Sequence, residues 1–326
     1  MALPAPGDQH VNGLLTEISV AFLNKPNAFV ADTIFPRLAV EKQSDVFAVY
    51  NRGDMLRDEM QRRGPGSESA GGGYRTSTDS YRCDVWSFHK DVDDQTVANT
   101  DAPYNAFRDA TVYVTQKELI KREVEFVTNF FSTGIWTGAS TGTDLVAGTD
   151  FTAWDDAASD IATIISDQCE AIEGATGMWP TDLTVGRKGW NALKNHPDIV
   201  DRIAGAAGPG NPAIATRQAV AAVLELERIN VASAVKNSAA EGLTASVGYI
   251  VGNHALLSYA PTTPSLMEPS AGYTFVWSGL TGSQEGRRIK TYRMEQNAAD
   301  RVEIDAAFDQ KVVSSICGAF FSNVVS

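Results

Sequence analysis

Apolar and polar residues alternate in two stretches of the N-terminal third of the chain, Asp45 to Asn51 and Tyr81 to Lys90. A period of two is typical of half-buried β-strands. The sequence between them includes RRGPGSESAGGGY, residues 62–74, a tip rich in glycine and serine. We therefore predict a long β-hairpin that reaches out of the body of the protein. Because a two-stranded ribbon is barely stable alone and its edges invite pairing, we expect it to lie on a neighbouring chain. The alternative is a mobile surface loop.

A long helical pattern follows the hairpin. Neither glycine nor proline occurs from Asn105 to Thr133, and Glu118 and Arg122 stand four residues apart, the spacing of ion pairs on one helix face. The segment Asp101 to Pro103 supplies a helix start, and Gly134 a helix end. The pattern predicts one helix of about seven to eight turns.

The middle of the chain alternates between helical and strand-like patterns, whereas the C-terminal part is strand-like throughout. A sheet covered by helices is the simplest arrangement for the middle, and the whole chain is expected to be α+β. The predicted helices lie at 154–172, 187–195 and 215–227. The predicted strands lie at 182–186, 229–234, 247–252, 273–277, 289–294, 301–307, 312–315 and 319–325.

Composition indicates a folded, acidic protein. The 326 residues are 43% hydrophobic, enough for real cores and about two domains. The formal net charge is −13 and the basic residues are scattered, which disfavours a nucleic-acid groove or a polybasic membrane patch. The sequence contains neither a secretory signal pattern nor a run of apolar residues long enough to span a membrane. We therefore expect a protein made in the cytosol that does not cross a membrane.

The sequence shows no recognisable motif for catalysis, metal binding or cofactor binding. The four histidines share no short spacing, and the three cysteines lie far apart without a CxxC pair. There is no Walker loop, no GxGxxG fingerprint after a strand and no GxSxG elbow. We expect neither an enzyme nor a cofactor, although a site assembled from distant residues would escape such a search.

The hairpin carries a small excess of basic residues on a protein that is acidic as a whole. Such opposition suits contact between copies of one chain, and the alternative is an ordinary mixed-charge surface. Near the N-terminus, Val11 to Phe35 mixes short apolar clusters and predicts an extended or briefly helical arm that lies over another part of the assembly. The candidate residues for contact between subunits are Arg57, Arg62, Arg63, Arg75, Phe22 and Phe29.

The order of these parts resembles the major capsid proteins of tailed bacteriophages and prophages, which have the Hong Kong 97 fold. That order is an N-terminal arm, a glycine-tipped hairpin, a long helix, a mixed middle and a strand-rich end. The sequence is most similar to the family in LTVGRKGWNALKNHPDIVDRI (183–203), EPSAGYTFVWSG (268–279) and DQKVVSSICGAFFSNVV (309–325). Together with the layout, these segments cover most of the chain.

The resemblance implies an α+β subunit in five parts and a structural role. Subunits of this family assemble into hexamers and pentamers of an icosahedral shell, first as a procapsid that later expands. The implied parts are an N-terminal arm (1–37), an extended E-loop hairpin (38–90), a peripheral domain (91–181) with a spine helix at about 105–134, an axial domain (182–264) and return strands of both domains (265–326).

The resemblance also implies partners and a location. The shell would enclose packaged double-stranded DNA without sequence-specific contacts, and it would form in the host cytoplasm and remain in the virion. Further partners would be portal and decoration proteins. Because no long charged helical segment precedes the N-terminal arm, the expected arrangement is a separate scaffolding protein or none. Some members cross-link subunits through an E-loop lysine, but no lysine occurs between Lys42 and Lys90, so this cross-link is not expected.

Three alternatives remain open from the sequence. An encapsulin-like bacterial nanocompartment resembles the same fold but encloses a cargo enzyme. A remoter alternative is a soluble α/β enzyme with an undetected site near the loop Gly205 to Pro212. A tail or adaptor component of the same virion is the third, and it would form rings or tubes instead of closed shells.

Overall fold

The structure is a computed structural model that describes residues 23–100, 104–207, 215–264 and 267–326. These residues form both helices and sheets, which confirms the predicted α+β class. The N-terminal part contains β1 (Arg37–Val40), β2 (Ser44–Tyr50), α1 (Arg52–Met55), β3 (Thr76–Arg82), β4 (Asp84–Asp93), α2 (Asp94–Asn99) and α3 (Ala106–Phe130). The middle contains β5 (Leu145–Val146), α4 (Ile161–Thr176), β6 (Asp182–Gly186), α5 (Arg187–Asn195), α6 (Pro197–Ala207), α7 (Arg217–Val223), β7 (Arg228–Ala232), β8 (Val235–Asn237), β9 (Val247–Tyr249) and β10 (Ala255–Ser258). The C-terminal part contains β11 (Gly272–Trp277), α8 (Ser278–Thr281), β12 (Arg287–Met294), β13 (Ala299–Val312) and β14 (Gly318–Ser322).

The long strand β13 is the centre of the first sheet. The antiparallel strand β4 pairs along one edge, from Asp93 opposite Ala299 to Asp84 opposite Phe308. Along the other edge β12 and then β11 pair with β13, and β1 lies parallel to β11. Because β13 is paired on both sides over most of its length, it forms the rigid base from which the hairpin extends.

The helix α3 packs on this first sheet. Its residues Ala110 and Val114 share an apolar cluster with buried side chains of β4 and β13. The helix begins after Asn105, whose side-chain oxygen accepts a hydrogen bond from the Arg108 N–H, as an N-cap does. The prediction of one long helix is therefore confirmed, while its predicted start at Asp101 to Pro103 lies outside the described residues.

The second sheet has the strand order β5-β14-β10-β6-β7 and is covered on both faces. Ala255 and Leu257 of β10 belong to the core formed with helices α4 to α7. Leu256, which points to the opposite face, packs in a separate core with Phe126 and Phe130 of α3. The alternation of a β-strand thus divides the apolar residues between two cores, and it joins this sheet to α3.

Several predicted boundaries are corrected by local capping and by strand pairing. The helix predicted at 154–172 runs from Ile161 to Thr176, because the Asp160 side chain caps it and the chain before Asp160 is a loop. The helix predicted at 215–227 runs only from Arg217 to Val223, since Thr216 caps its start and Glu225, just beyond its end, has a left-handed backbone conformation with φ 56°. The strand predicted at 301–307 is part of the longer β13, which continues to Val312 because residues 308–312 pair with β11. The strand predicted at 312–315 is wrong, because only Val312 of it belongs to β13.

The predicted hairpin exists, but its returning limb is different. The strand β2 pairs with β3, from Ser44 opposite Arg82 to Tyr50 opposite Thr76. The residues predicted as the returning limb mostly belong to β4 and pair with β13 instead. The change occurs at Cys83, which is fully buried and donates its backbone N–H to the Gln43 carbonyl. The projecting part, here called the hairpin, therefore spans residues 44–82.

Two further expectations concern the whole chain. In the part of the chain that the structure describes, none of the helices is long and apolar enough to cross a membrane. The five-part division implied by the resemblance stays a prediction. The helix α3 lies at the position expected for the spine helix, and the second sheet includes residues outside the expected axial range of 182–264.

Candidate inter-subunit contact surface

The hairpin is folded around one carboxylate. The short helix α1 starts after Asn51, whose side chain accepts the Asp54 N–H. The Asp54 carboxylate in turn accepts hydrogen bonds from Arg75 Nε at 2.8 Å and from Arg57 Nη2 at 3.1 Å. Its side chain is only 4% exposed, and the hydrogen bonds from Arg75 lower the pKa of Asp54 to about 2. Asp54 therefore ties the outward limb of the hairpin to the returning one.

Arg57 and Arg75 were predicted to contact other subunits, and both first serve the fold of their own hairpin. Each binds Asp54, yet each side chain remains more than half exposed. Arg62 and Arg63 lie further out on the exposed tip, where Arg63 donates to the Ser67 carbonyl within the tip. The structure places these four arginines on one projection, and their contact role stays a prediction.

The two phenylalanine candidates have different outcomes. Phe22 lies outside the described residues. Phe29 is 9% exposed and packs with Ala234 and Ile250 against apolar side chains of α3. Phe29 thus anchors the N-terminal segment to its own subunit, and a contact role in another subunit stays a prediction.

Sequence reasoning missed a set of exposed apolar side chains on the hairpin. Met60 is 94% exposed, and Tyr50 and Tyr74 place their rings 5.6 Å apart. Exposed apolar groups of this size are typical of surfaces that become covered by a partner. The signal was present in the sequence, because methionine and leucine interrupt an otherwise polar stretch. The set, here called the hairpin apolar residues, consists of Val46, Met55, Leu56, Met60 and Tyr74.

A second exposed apolar surface lies on the body, where β4 and α3 meet. The rings of Phe88 and Tyr113 are 5.8 Å apart, and Lys117 lies over the Tyr113 ring. Val112, the neighbour of Tyr113 on α3, is also exposed, and we call Phe88, Val112 and Tyr113 the spine surface. A cavity of about 290 Å³ adjoins it, lined by Trp86, Phe88, Lys117, Lys121, Ile304 and Phe308 among others. The body thus offers an apolar face with lysines beside it.

The base of the hairpin is held firmly to the first sheet. Tyr81 stacks on Phe275 with ring centroids 4.6 Å apart. Asp309 accepts the Arg82 N–H, and Lys311 Nζ lies 2.6 Å from Asp79. These contacts from β3 therefore fix the direction in which the hairpin leaves the body.

The described residues offer little for chemistry. Among them, no group of three or more histidine, cysteine, aspartate or glutamate side chains is placed to hold a metal ion. Burial raises the pKa of the Cys83 and Cys169 thiols to about 12, and it also raises the pKa of the buried Cys317. The loop suggested for an enzyme site, Gly205 to Pro212, lies largely outside the described residues.

The comparisons with known proteins point to phage shells. Residues 144–256 match the family model of phage major capsid protein E. No protein of curated function shows significant similarity to the chain. A phage-related protein from Bordetella bronchiseptica RB50 is 18% identical, with a TM-score of 0.64 over 92% of this chain and 94% of that one. The capsid of cyanophage P-SCSP1u is 13% identical, with a TM-score of 0.62 over 98% of both chains.

This chain has the Hong Kong 97 fold of phage capsid proteins. The resemblance predicted from the sequence is thereby confirmed. The same fold also includes an encapsulin from Synechococcus elongatus PCC 7942, which is 11% identical, with a TM-score of 0.54 over 100% of this chain and 98% of that one. The matched family model and the phage capsids describe structural proteins, in agreement with the expectation that this chain is not an enzyme.

Proposed function

We propose that this protein is the major capsid protein of a tailed phage or prophage and the building block of its icosahedral shell. The observation that carries the proposal is the likeness to phage capsid subunits over nearly the whole length of the chain. The projecting hairpin supports it, because its exposed apolar residues are of little use to a monomer. Copies of the chain associate into hexamers and pentamers, and the shell is part of the virion.

The hairpin of one copy docks on the body of a neighbouring copy in this proposal. The hairpin apolar residues supply the buried core of the contact, and the spine surface is the matching apolar face. Arg62 and Arg63 lie at the tip, where they meet acidic groups of a body that carries a net negative charge. Many such contacts, each weak, add up to a stable closed shell.

The remaining partners follow from the same function. The shell encloses double-stranded DNA, and the net charge of −13 keeps the wall from holding nucleic acid tightly. Assembly takes place in the host cytoplasm with a separate scaffolding protein, and portal and decoration proteins complete the particle. No membrane or cofactor takes part.

Electron microscopy of the purified protein tests the proposal most directly. Negative-stain images over a concentration series, with the absorbance ratio at 260 and 280 nm on each fraction, are expected to show closed polyhedral shells. Met60→Asp is expected to lower the yield of shells about tenfold or more, since a charge would be buried at each contact. Met60→Leu keeps the apolar side chain and should assemble normally.

The same experiment can also contradict the proposal. A uniform small oligomer at every concentration, even with a candidate scaffold co-expressed, would exclude a shell protein. Equal yields of shells from Met60→Asp and wild type would leave the shell proposal standing, but they would show that Met60 is not part of the contact between subunits. Circular dichroism of both variants checks that the helix content is unchanged.

An encapsulin-like compartment is the second candidate, and the match to the Synechococcus elongatus encapsulin favours it. Both candidates predict closed shells, so the contents distinguish them. Native particles with an absorbance ratio typical of nucleic acid are phage-like. Particles that contain one foreign protein and no nucleic acid are encapsulin-like.

A further inference from the structure

The N-terminal segment that the structure describes, residues 24–35, crosses the junction between the second sheet and α3. The Asn24 side chain exchanges two hydrogen bonds with the backbone of Val235, at 2.8 and 3.1 Å. The Ala28 carbonyl accepts the N–H groups of Ser233 and Ala234. At its other end, the Phe35 ring lies 4.5 Å from Phe130 of α3. This segment, here called the N-arm segment, therefore connects two parts of the subunit.

A buried carboxylate on α3 holds the middle of the N-arm segment. Glu123 is fully buried, and its Oε2 accepts the Val30 N–H at 3.0 Å and the Ala31 N–H at 2.9 Å. No lysine or arginine among the described residues forms an ion pair with it. A buried carboxylate without a cation is costly when ionised, so the two N–H groups are its main compensation.

The neighbouring residue Arg122 binds the same segment by different chemistry. Its guanidinium, also buried, lies 2.8 Å from Asp32 of the N-arm segment and 2.8 Å from Glu118. A further bond reaches the Glu285 carbonyl. The N-arm segment is thus fixed to α3 in two ways. One is an ion pair, and the other is the Glu123 carboxyl group, whose contribution to docking depends on its protonation state.

We propose that Glu123 is a pH-sensitive latch for the N-arm segment, and that ionisation of this buried carboxyl weakens the docking of residues 28–33 on α3. Release would free the N-arm segment to follow another path, which in a shell means a different contact with a neighbouring copy. Only that last consequence rests on the proposed function. The latch itself is a property of one subunit.

The sign follows from the environment of Glu123. Burial raises the pKa of Glu123 to about 7, the hydrogen bonds from Ala31 and Val30 oppose the rise, and Asp32 adds to it. When the N-arm segment leaves, water returns and the pKa falls toward its ordinary value of 4.5. Docking is therefore strongest at acidic pH and weakens as pH rises through about 7. Linkage gives about a tenfold increase in the released population between pH 6 and 8.5.

Other ionisable groups face this junction from each neighbouring element. Asp32 lies on the N-arm segment, and Glu118 and Arg122 lie on α3. The loop before β12 adds Glu285, and β12 itself adds Arg287. On the side of the second sheet, Tyr259 and Cys317 pack in the same apolar cluster as Val30, and burial raises the pKa of both. The His254 ring packs on Phe320 of that cluster, and burial lowers its pKa. A variant of Glu123 alone separates its contribution from theirs.

Hydrogen exchange of the N-arm segment tests the latch. Peptides covering residues 25–35 would be followed by mass spectrometry over a series of pH values from 4.0 to 8.5, with exchange rates corrected for the intrinsic effect of pH and the values at pH 6.0 and 8.5 compared directly. Wild type is expected to open about tenfold more often at pH 8.5, and Glu123→Gln to show no such difference. Glu125→Gln is the matched control, since it changes a glutamate on the same helix that pairs with Lys121.

The outcomes separate clearly. A wild-type opening that does not change with pH, or a midpoint between 4 and 5, would overturn the latch, as would a pH dependence that persists in Glu123→Gln. The wild-type midpoint decides the question even if that variant does not fold. Exchange is measured on the subunit in any assembly state, so a failure of the shell proposal would leave this result unaffected.

Discussion

At the scale of single residues, several charged side chains that could contact another subunit form ion pairs and hydrogen bonds within their own subunit. Asp54 draws Arg57 and Arg75 into the hairpin's own structure, although their sequence pattern suggested groups free for a neighbour. Asp309 and Lys311 do the same at the hairpin base. A charged residue on a projecting element is therefore a contact candidate only after its own neighbours have been considered.

Asp54→Asn is expected to loosen the hairpin beyond α1. The variant removes the negative charge that binds two guanidinium groups. Exposed ion pairs each contribute only modestly to stability. We therefore expect limited trypsin digestion within residues 57–75 to become about three- to tenfold faster. The exposed residue Asp58, changed to asparagine, is the control. Equal digestion rates for wild type and Asp54→Asn would show that Asp54 does not organise the hairpin.

The pH dependence of this effect has a definite sign. Because the pKa of Asp54 is lowered from 3.8 to about 2, its stabilisation of the hairpin is present above pH 3.8. It is lost as pH falls through about 2. This is opposite to Glu123, whose contribution to docking is lost as pH rises.

At the scale of elements, close backbone approaches fix how strands lead into helices. Gly186 ends β6 and precedes α5, and an added Cβ there would lie 2.0 Å from the Gly252 carbonyl oxygen. The side chain must be absent because the strand–helix junction packs directly on another loop. Packing therefore requires glycine at position 186, whereas the sequence pattern alone indicates only a turn there.

Gly186→Ala is expected to destabilise the fold by about 1–3 kcal/mol, because a backbone carbonyl must move to make room. Gly174→Ala is the matched control within α4, where an added Cβ meets nothing within 4 Å. It should stabilise the protein by about 0.5–1 kcal/mol, since alanine favours helix over glycine. Chemical denaturation of the three proteins measures both effects, and a neutral Gly186→Ala would contradict the packing argument.

At the scale of the whole molecule, α3 and the N-arm segment join two separately packed sheets. The core around Phe126 and Phe130 receives side chains from the N-arm segment and from the second sheet. Movement of the N-arm segment would therefore be felt by both sheets. This arrangement suits a subunit that must hold one shape within a shell and still be able to change it.

The proposed shells are expected to be held together without covalent bonds. The hairpin offers no lysine for a cross-link, and the three cysteines are buried with raised thiol pKa values. Boiled particles should run as monomers near 35.0 kDa on denaturing gels, with or without reductant. A ladder of multimers under reducing conditions would reveal a cross-link of another kind.

Local signals predicted part of this structure well. The strand 182–186 and the helix 187–195 have the bounds expected from the sequence, because Gly186 and the pair His196-Pro197 mark the ends of elements directly. The hairpin itself follows from its glycine-rich tip. The sequence predicted the position of the basic tip. It also contained a signal for the hairpin apolar residues, in the methionines and leucine that interrupt a polar stretch, but only the structure shows that Met60 is exposed.

The sequence by itself determined the class of the protein, the projecting hairpin and the long helix, because these depend on residues a few positions apart. Only the tertiary structure decided that residues 84–93 leave the hairpin to pair with β13, more than two hundred positions away. It also decided that Glu123 is buried beneath the N-arm segment, while Glu125 on the same helix pairs with Lys121 nearer the surface. Burial and strand partners are set by distant parts of the chain, and no local pattern contains that information.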